Sequence, residues 1–246
     1  MSKLLFIDFD GVLFNTVAEA FYICTHTTHF KHKTLPLHAY QLFLKYRPYV
    51  GPAWNYYHIM QTIIKHPNTF KKNLNFIQSA ESQTFENDFF ETRQRIKKEN
   101  YVEWLKLNKP YPFFGLLNSL LTNNKEISSY IISTKDSETI FDLLQIHLKY
   151  PMNFYKQIYG HQTFQKMKTK KAIIQHCISK NSIQNESCIF IDDSAEHLKK
   201  CEELHPLHLI QANWGYITDE TKTSYLMDTA DTINTINNII HMEELR

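Results

Sequence analysis

An apolar run that ends in two carboxylates constrains this chain more than any other stretch. Leu4-Leu5-Phe6-Ile7 leads directly into Asp8-Phe9-Asp10-Gly11-Val12-Leu13. A short continuous apolar run of this kind reads as a buried strand. Side chains two apart on an extended backbone point the same way, so Asp8 and Asp10 face one site beyond the strand's carboxyl end. Two anions so placed need a counter-ion. A hard divalent cation such as magnesium takes carboxylate oxygens readily, and Gly11 permits the tight, close-approaching turn that such a site requires.

Later segments place that strand in a parallel α/β sheet, because short apolar strands alternate with helical periodicity. Ser129-Tyr130-Ile131-Ile132 is a strand followed by a helix from Ser137 to Leu148, with Ile140, Leu143, Leu144 and Leu148 at helical spacing. Asn153 to Tyr159 reads as the next strand, and a helix over Thr169 to Ile178 puts Ile173, Ile174, Cys177 and Ile178 on one face. Ser187 to Ile191 is a further buried strand. Ala195, Leu198, Cys201 and Leu204 stripe the helix behind it, Leu207 to Gln211 is a last strand, and Thr232 to Ile240 a closing helix.

Between Leu13 and Lys109 the pattern changes to aromatics at helical spacing: Trp54, Tyr57 and Ile64, then Phe85, Phe89 and Ile96. The first strand must pair with later ones, so this helical region is expected as an insertion: residues 17–109 as a helical domain, 1–16 and 110–246 as the sheet domain. The prolines of Asn108-Lys109-Pro110-Tyr111-Pro112 mark the return, and Pro67-Asn68 marks a turn inside the insertion.

Charge and cysteine content exclude several classes of function. Lys+Arg of 27 against Asp+Glu of 25 leaves a net charge of +2, with no basic run to track a nucleic-acid backbone. Apolar runs fall far short of the roughly 20 residues that cross a bilayer, and Met1-Ser2-Lys3 leads into a strand instead of a signal peptide. A cytoplasmic protein is expected, with no nucleic-acid or membrane partner. Cys24, Cys177, Cys188 and Cys201 are scattered, which suits structural burial, and the last three fall in apolar-periodic segments where a thiol behaves as a small hydrophobe. His197, Cys201 and His205 recur every four residues but do not complete a zinc ligand set.

An α/β sheet presents its ligand site beyond the carboxyl ends of its strands. The residues collected there are Asp8 and Asp10, then Ser133 and Thr134, then Lys168 and Lys170 ahead of a helix, then Asp192, Asp193 and Ser194. This series suits phosphoryl transfer. A carboxylate attacks phosphorus, a metal and a lysine neutralise phosphoryl oxygens, and a hydroxyl with backbone N–H groups fixes orientation. Capping of the following helix explains one of Asp193 and Ser194 but not two adjacent carboxylates.

On these motifs the chain resembles the haloacid dehalogenase-like hydrolase superfamily, in its phosphatase branch with a helical cap, phosphoglycolate phosphatase-like in core. Asp8-x-Asp10-Gly11-x-Leu13 matches that family's first motif. Ile131-Ile132-Ser133-Thr134-Lys135 resembles the second and Ile189-Phe190-Ile191-Asp192-Asp193-Ser194 the fourth. The resemblance covers residues 1–16 and 110–240; the insertion matches the family's cap only in position and helical character. It implies a Rossmann-like core and a magnesium-dependent phosphatase acting on a small-molecule phosphomonoester. Asp8 would be the nucleophile that becomes an aspartyl phosphate, and Asp10 the general acid and then base. Asp8, the Asp10 carbonyl and Asp193 would hold the metal with Asp192 beside them. Ser133 or Thr134 would hold a phosphoryl oxygen, and Lys170 or Lys168 would supply the cation.

The alternatives are a phosphomutase on the same core and a binding protein without turnover. Asn15-Thr16 departs from the acidic residue and hydroxyl that many relatives carry there. Inside the insertion, Arg47, His58, Arg93 and Arg95 are the side chains most able to meet a substrate anion, while Tyr46, Tyr49, Trp54, Tyr56 and Tyr57 read as its core.

Overall fold

The computed structural model describes residues 3–68, 76–124, 126–148 and 157–241. By contact the chain divides into two compact units, Met1–Asn15 with Pro110–Arg246, and Thr16–Lys109. From the amino end come β1 (Lys3–Ile7) and β2 (Phe14–Asn15), then, in the second unit, α1 (Val17–His26), α2 (Ala39–Tyr46), α3 (Asn55–Lys65), α4 (Ala80–Glu99) and α5 (Tyr101–Lys106). Beyond β3 (Lys109–Pro110) follow α6 (Pro112–Asn123), β4 (Ile127–Ile132), α7 (Ser137–His147), β5 (Ile158–Tyr159), α8 (His161–Met167) and α9 (Lys170–Asn181). The chain closes with β6 (Cys188–Asp192), α10 (Ala195–Cys201), β7 (His208–Ala212), β8 (Leu226–Met227) and α11 (Thr229–His241).

The first unit is built on a six-stranded sheet of order β5-β4-β1-β6-β7-β8, parallel at every neighbouring pair. All five residues of β1 are buried, as a parallel sheet covered on both faces demands. Its two-residue alternation is visible in the core: Leu4 and Phe6 join Ile132 and Phe190 with Ile173, Ile174 and Cys177 of α9. The β1 register sets the site, because Ile7 lies level with Ile131 of β4 and with Ile191 of β6. Asp8, Ser133 and Asp192 thereby arrive near one edge of the sheet.

Several boundaries differ from the sequence expectations. α8 was not expected, because its seven residues bury no side chain fully and leave no stripe to read. β8, two residues long, is too short for a periodic signal. Of the strand expected at 153–159, residues 153–156 lie outside the described residues, and of 157–159 only Ile158–Tyr159 is strand.

The second unit is helical. α4 opens with a capping box in which the Ser82 amide donates to Ser79 Oγ at 3.2 Å and the Ser79 amide to Ser82 Oγ at 2.9 Å. Phe85, Phe89 and Ile96 are buried. In α3 the buried stripe is Tyr56, Ile59, Met60 and Ile63, whereas Trp54, Tyr57 and Ile64, the residues of the expected stripe, are half-buried. Tyr56 stacks between Phe43 at 5.3 Å and Phe89 at 5.4 Å, which rotates the helix toward that face. Arg93 is a correction to the reading of it as an anion receptor. It is buried, with Nε 2.6 Å from Glu19 Oε1 and Nη2 3.1 Å from Glu19 Oε2, and Trp104 Nε1 donates to the same Glu19 at 3.3 Å. Arg95 pairs with Glu99 at 3.5 Å on the surface. Among the described residues no helix is long and apolar enough to cross a membrane.

Candidate active site

Asp8 follows the last residue of β1, and its amide is still held by the Ile191 carbonyl at 2.9 Å. The sheet therefore fixes the carboxylate's origin. Lys170, at the start of α9, reaches that edge with its ammonium 2.8 Å from Asp8 Oδ1 and 2.8 Å from Asp192 Oδ2. It is 2% exposed. The Thr169 side chain accepts from the Ala172 amide at 3.1 Å, capping α9 and fixing where Lys170 emerges. Lys168 is exposed and sits in the left-handed conformation that ends α8. The structure thus gives the Asp8 contact to Lys170 and not to Lys168.

Asp192 is saturated. Its Oδ2 accepts from Lys170 and meets His197 Nδ1 at 3.1 Å, and its Oδ1 accepts the Ser194 amide at 2.8 Å. Ser194 occupies the N-cap position of α10, but its side chain makes no capping bond. Asp193 points differently: its Oδ2 accepts the Tyr216 amide at 2.7 Å. Gln211, wholly buried in β7, holds the Asp193 carbonyl at 3.0 Å.

One oxygen from each of Asp8, Asp192 and Asp193 lies within 4.8 Å of the others. Asp8 Oδ1 is buried, and its close partner is the Lys170 ammonium at 2.8 Å. An all-oxygen set of three converging, buried carboxylates fits a small hard cation such as magnesium. Charge agrees: with Asp8, Asp10, Asp192 and Asp193 against Lys135 and Lys170, four anions face two ammonium groups, leaving two negative charges when all are ionised. Because Asp192 is so heavily engaged, its main contact is to Lys170, and Asp8 and Asp193 are the better placed for a cation.

The electrostatics separate the carboxylates. Burial pushes the Asp8 carboxyl up to about 6, with Lys170 opposing the rise and Asp192 adding to it. Burial also disfavours charge on Asp192, but Lys170 and His197 outweigh it and hold that carboxyl well below the usual range. Burial opposes charge on Lys170 as well, yet Asp192 and Asp8 keep it protonated above the ordinary lysine range. Asp192 is thus the firm anion, and Asp8 is the carboxylate whose charge a cation would stabilise.

Asp10 projects from the turn after β1, where Gly11 donates to the Phe14 carbonyl at 2.9 Å. Its Oδ1 lies 3.4 Å from the ammonium of Lys135. β4 ends at Ile132, so Ser133 is the first residue beyond it; Ser133 is buried and its Oγ accepts the Lys135 amide at 3.2 Å. Thr134 is half-buried beside it. Lys135 and His197 escaped the sequence reading. Lys135 was discoverable as the first cation after the second buried strand. The His197 contact depends on one turn of α10 folding back onto Asp192, which no periodicity reports.

No protein-family model and no curated protein matches the sequence. Solved structures do. A structure described as a predicted phosphoglycolate phosphatase from Haemophilus somnus superposes with TM-score 0.66 at 15% identity, over 95% of this chain and 97% of its own. A haloacid dehalogenase-like family hydrolase from Streptococcus pneumoniae gives 0.58 at 15% identity, over 95% and 98%. A beta-phosphoglucomutase from Clostridium difficile gives 0.60 at 11% identity, over 100% of both chains. The fold is the haloacid dehalogenase-like one: a Rossmann-like parallel α/β core interrupted by a helical unit.

Proposed function

We propose that this protein is a magnesium-dependent phosphatase that hydrolyses a small phosphorylated metabolite through an aspartyl-phosphate intermediate. The observation that carries the reading is the buried Lys170 bridging Asp8 and Asp192 at 2.8 Å each, with Asp193 alongside. Asp8 attacks phosphorus. As the ester P–O bond breaks, its electron pair goes to the leaving oxygen, which takes a proton from Asp10. Water then attacks the phosphoryl group, Asp10 accepts its proton, and Asp8 is released. Lys170 and Ser133 hold phosphoryl oxygens; Asp192 holds Lys170. Magnesium bound by Asp8, Asp193 and the Asp10 carbonyl would offset the repulsion between an anionic nucleophile and an anionic ester.

Structures named as phosphatases and as a mutase share the fold, and the four free, buried cysteines suit a reducing compartment such as the cytoplasm. The test is phosphate release from a panel of phosphomonoesters with and without magnesium, comparing the wild type with Asp8→Asn. Turnover should require magnesium and fall at least about 10³-fold in the variant, the scale of losing an activated nucleophile. Magnesium-dependent turnover surviving the substitution would remove Asp8 from the role. Return of the phosphoryl group to a sugar phosphate instead of water would point to a mutase.

A further inference from the structure

Two lysines serve the two carboxylates at the end of β1, and the mechanism above uses only one. Lys170 faces Asp8; Lys135, 3% exposed, faces Asp10 with its Nζ 3.4 Å from Oδ1. We propose that Lys135 is a positioning residue for the proton-transfer step, fixing the rotation of the Asp10 carboxyl so that it meets the leaving-group oxygen. The inference rests on the phosphatase reading of the site.

Backbone contacts hold both residues in place. The Asp10 backbone is held by its bridge to Phe14 and by the Gly11–Phe14 hydrogen bond. On the other side, the Lys135 amide donates to Ser133 Oγ, and its carbonyl accepts the His161 amide at 2.8 Å. Gly160 packs so close that a Cβ there would fall 2.7 Å from the Lys135 carbonyl oxygen. The lysine backbone is therefore clamped between the end of β4 and the start of α8. A long side chain that is 2% exposed and ends against a carboxylate has given up its rotamer freedom, so it restrains that carboxylate in turn.

Lys135 also joins the two halves of the step. Its backbone N–H orients Ser133, the hydroxyl that holds the phosphoryl group, while its side chain orients Asp10, the group that serves the leaving oxygen. One residue thus registers phosphorus against the proton donor, a distance on which reactivity depends steeply.

The experiment compares wild type, Lys135→Met, Lys135→Gln, Lys135→Arg and Asp10→Asn on an alkyl phosphate and on 4-nitrophenyl phosphate, whose leaving group needs no proton. Failure of the wild type to release phosphate from either would count against the phosphatase reading itself. With an active wild type, the neutral variants should lose at least tenfold more kcat on the alkyl ester than on the aryl ester. Lys135→Arg should recover part of that ratio, and adding Lys135→Met to Asp10→Asn should cost the alkyl ester less than twofold more. Equal losses on both esters, or full additivity with Asp10→Asn, would overturn the proposal. So would loss of the folded circular-dichroism spectrum in both neutral variants, which would make Lys135 a purely structural ion partner.

Discussion

Gly11 and Asp193 approach so closely that a Cβ on Gly11 would lie 2.1 Å from Asp193 Oδ2, and the Gly11 φ is +90°. The turn that aims Asp10 and the carboxylate that follows β6 therefore occupy space only a glycine leaves open. Asp193 cannot simply step aside, because the Tyr216 amide holds its Oδ2 and a Cβ on Gly215 would fall 2.4 Å from its own Cβ. Gly11→Ala should cost more than about 2 kcal/mol, the left-handed backbone alone accounting for ~1–2, and should weaken stabilisation by magnesium. Urea unfolding and a magnesium titration of the melting temperature check this. Gly115→Ala is the control: nothing lies within 4 Å of its Cβ, inside α6, so it should stabilise by about 0.5–1 kcal/mol.

Lys170→Met removes the ammonium shared by two buried carboxylates and leaves them facing each other. The expected loss is about 3–5 kcal/mol in urea unfolding, the usual scale for breaking a buried ion pair by deleting one partner. Adding Asp192→Asn should recover part of the stability and none of the phosphate release. Recovery of both would mean that Lys170 matters only for folding.

Magnesium should stabilise the protein more at pH 7 than at pH 5. The Asp8 carboxyl is raised by burial to about 6 from an unfolded value near 3.8. Its contribution to the metal-free protein is therefore fully present below pH 3.8 and is lost as pH rises through about 6. Above that pH a bound cation offsets the buried charge; below it the cation must displace a proton. Melting curves with magnesium and with a chelator across pH 5 to 8 read the effect directly, and Asp8→Asn should flatten it.

In the helical unit, Arg93 spans Glu19 through two contacts, 2.6 and 3.1 Å, and its guanidinium lies 4.7 Å from the Phe89 ring centre. Arg93→Ala should destabilise by about 3–5 kcal/mol, leaving Glu19 charged and buried. Glu19→Gln with Arg93→Met should cost less than either single change, a comparison made by double-mutant cycle in urea.

Much of the candidate site was legible because its signals are local. A strand that runs into Asp8 and Asp10, a strand that stops at Ser133 and a strand ending in Asp192-Asp193 each announce themselves in five or six residues. The choice between Lys168 and Lys170 did not, since both lie in a lysine-rich stretch; a left-handed residue ending α8 and a capped start to α9 separate them. Arg93 was misread because nothing near it in sequence shows Glu19, 74 residues away. In α3 the stripe was read one residue off because both faces carry aromatics, and only the stacking of Tyr56 on Phe43 and Phe89 selects one.

The sequence by itself determined the alternation of the longer strands and helices of the sheet unit and the identity of the carboxylates that end the strands, since hydrophobic periodicity and strand-end chemistry act over a few residues. Only the tertiary structure decided which cation faces which anion: Lys170 on Asp8 and Asp192, Lys135 on Asp10, Arg93 on Glu19. Those pairings span 22 to 162 residues, and they follow from sheet register and helix placement, which bring distant side chains within a few ångströms where burial makes their charges count.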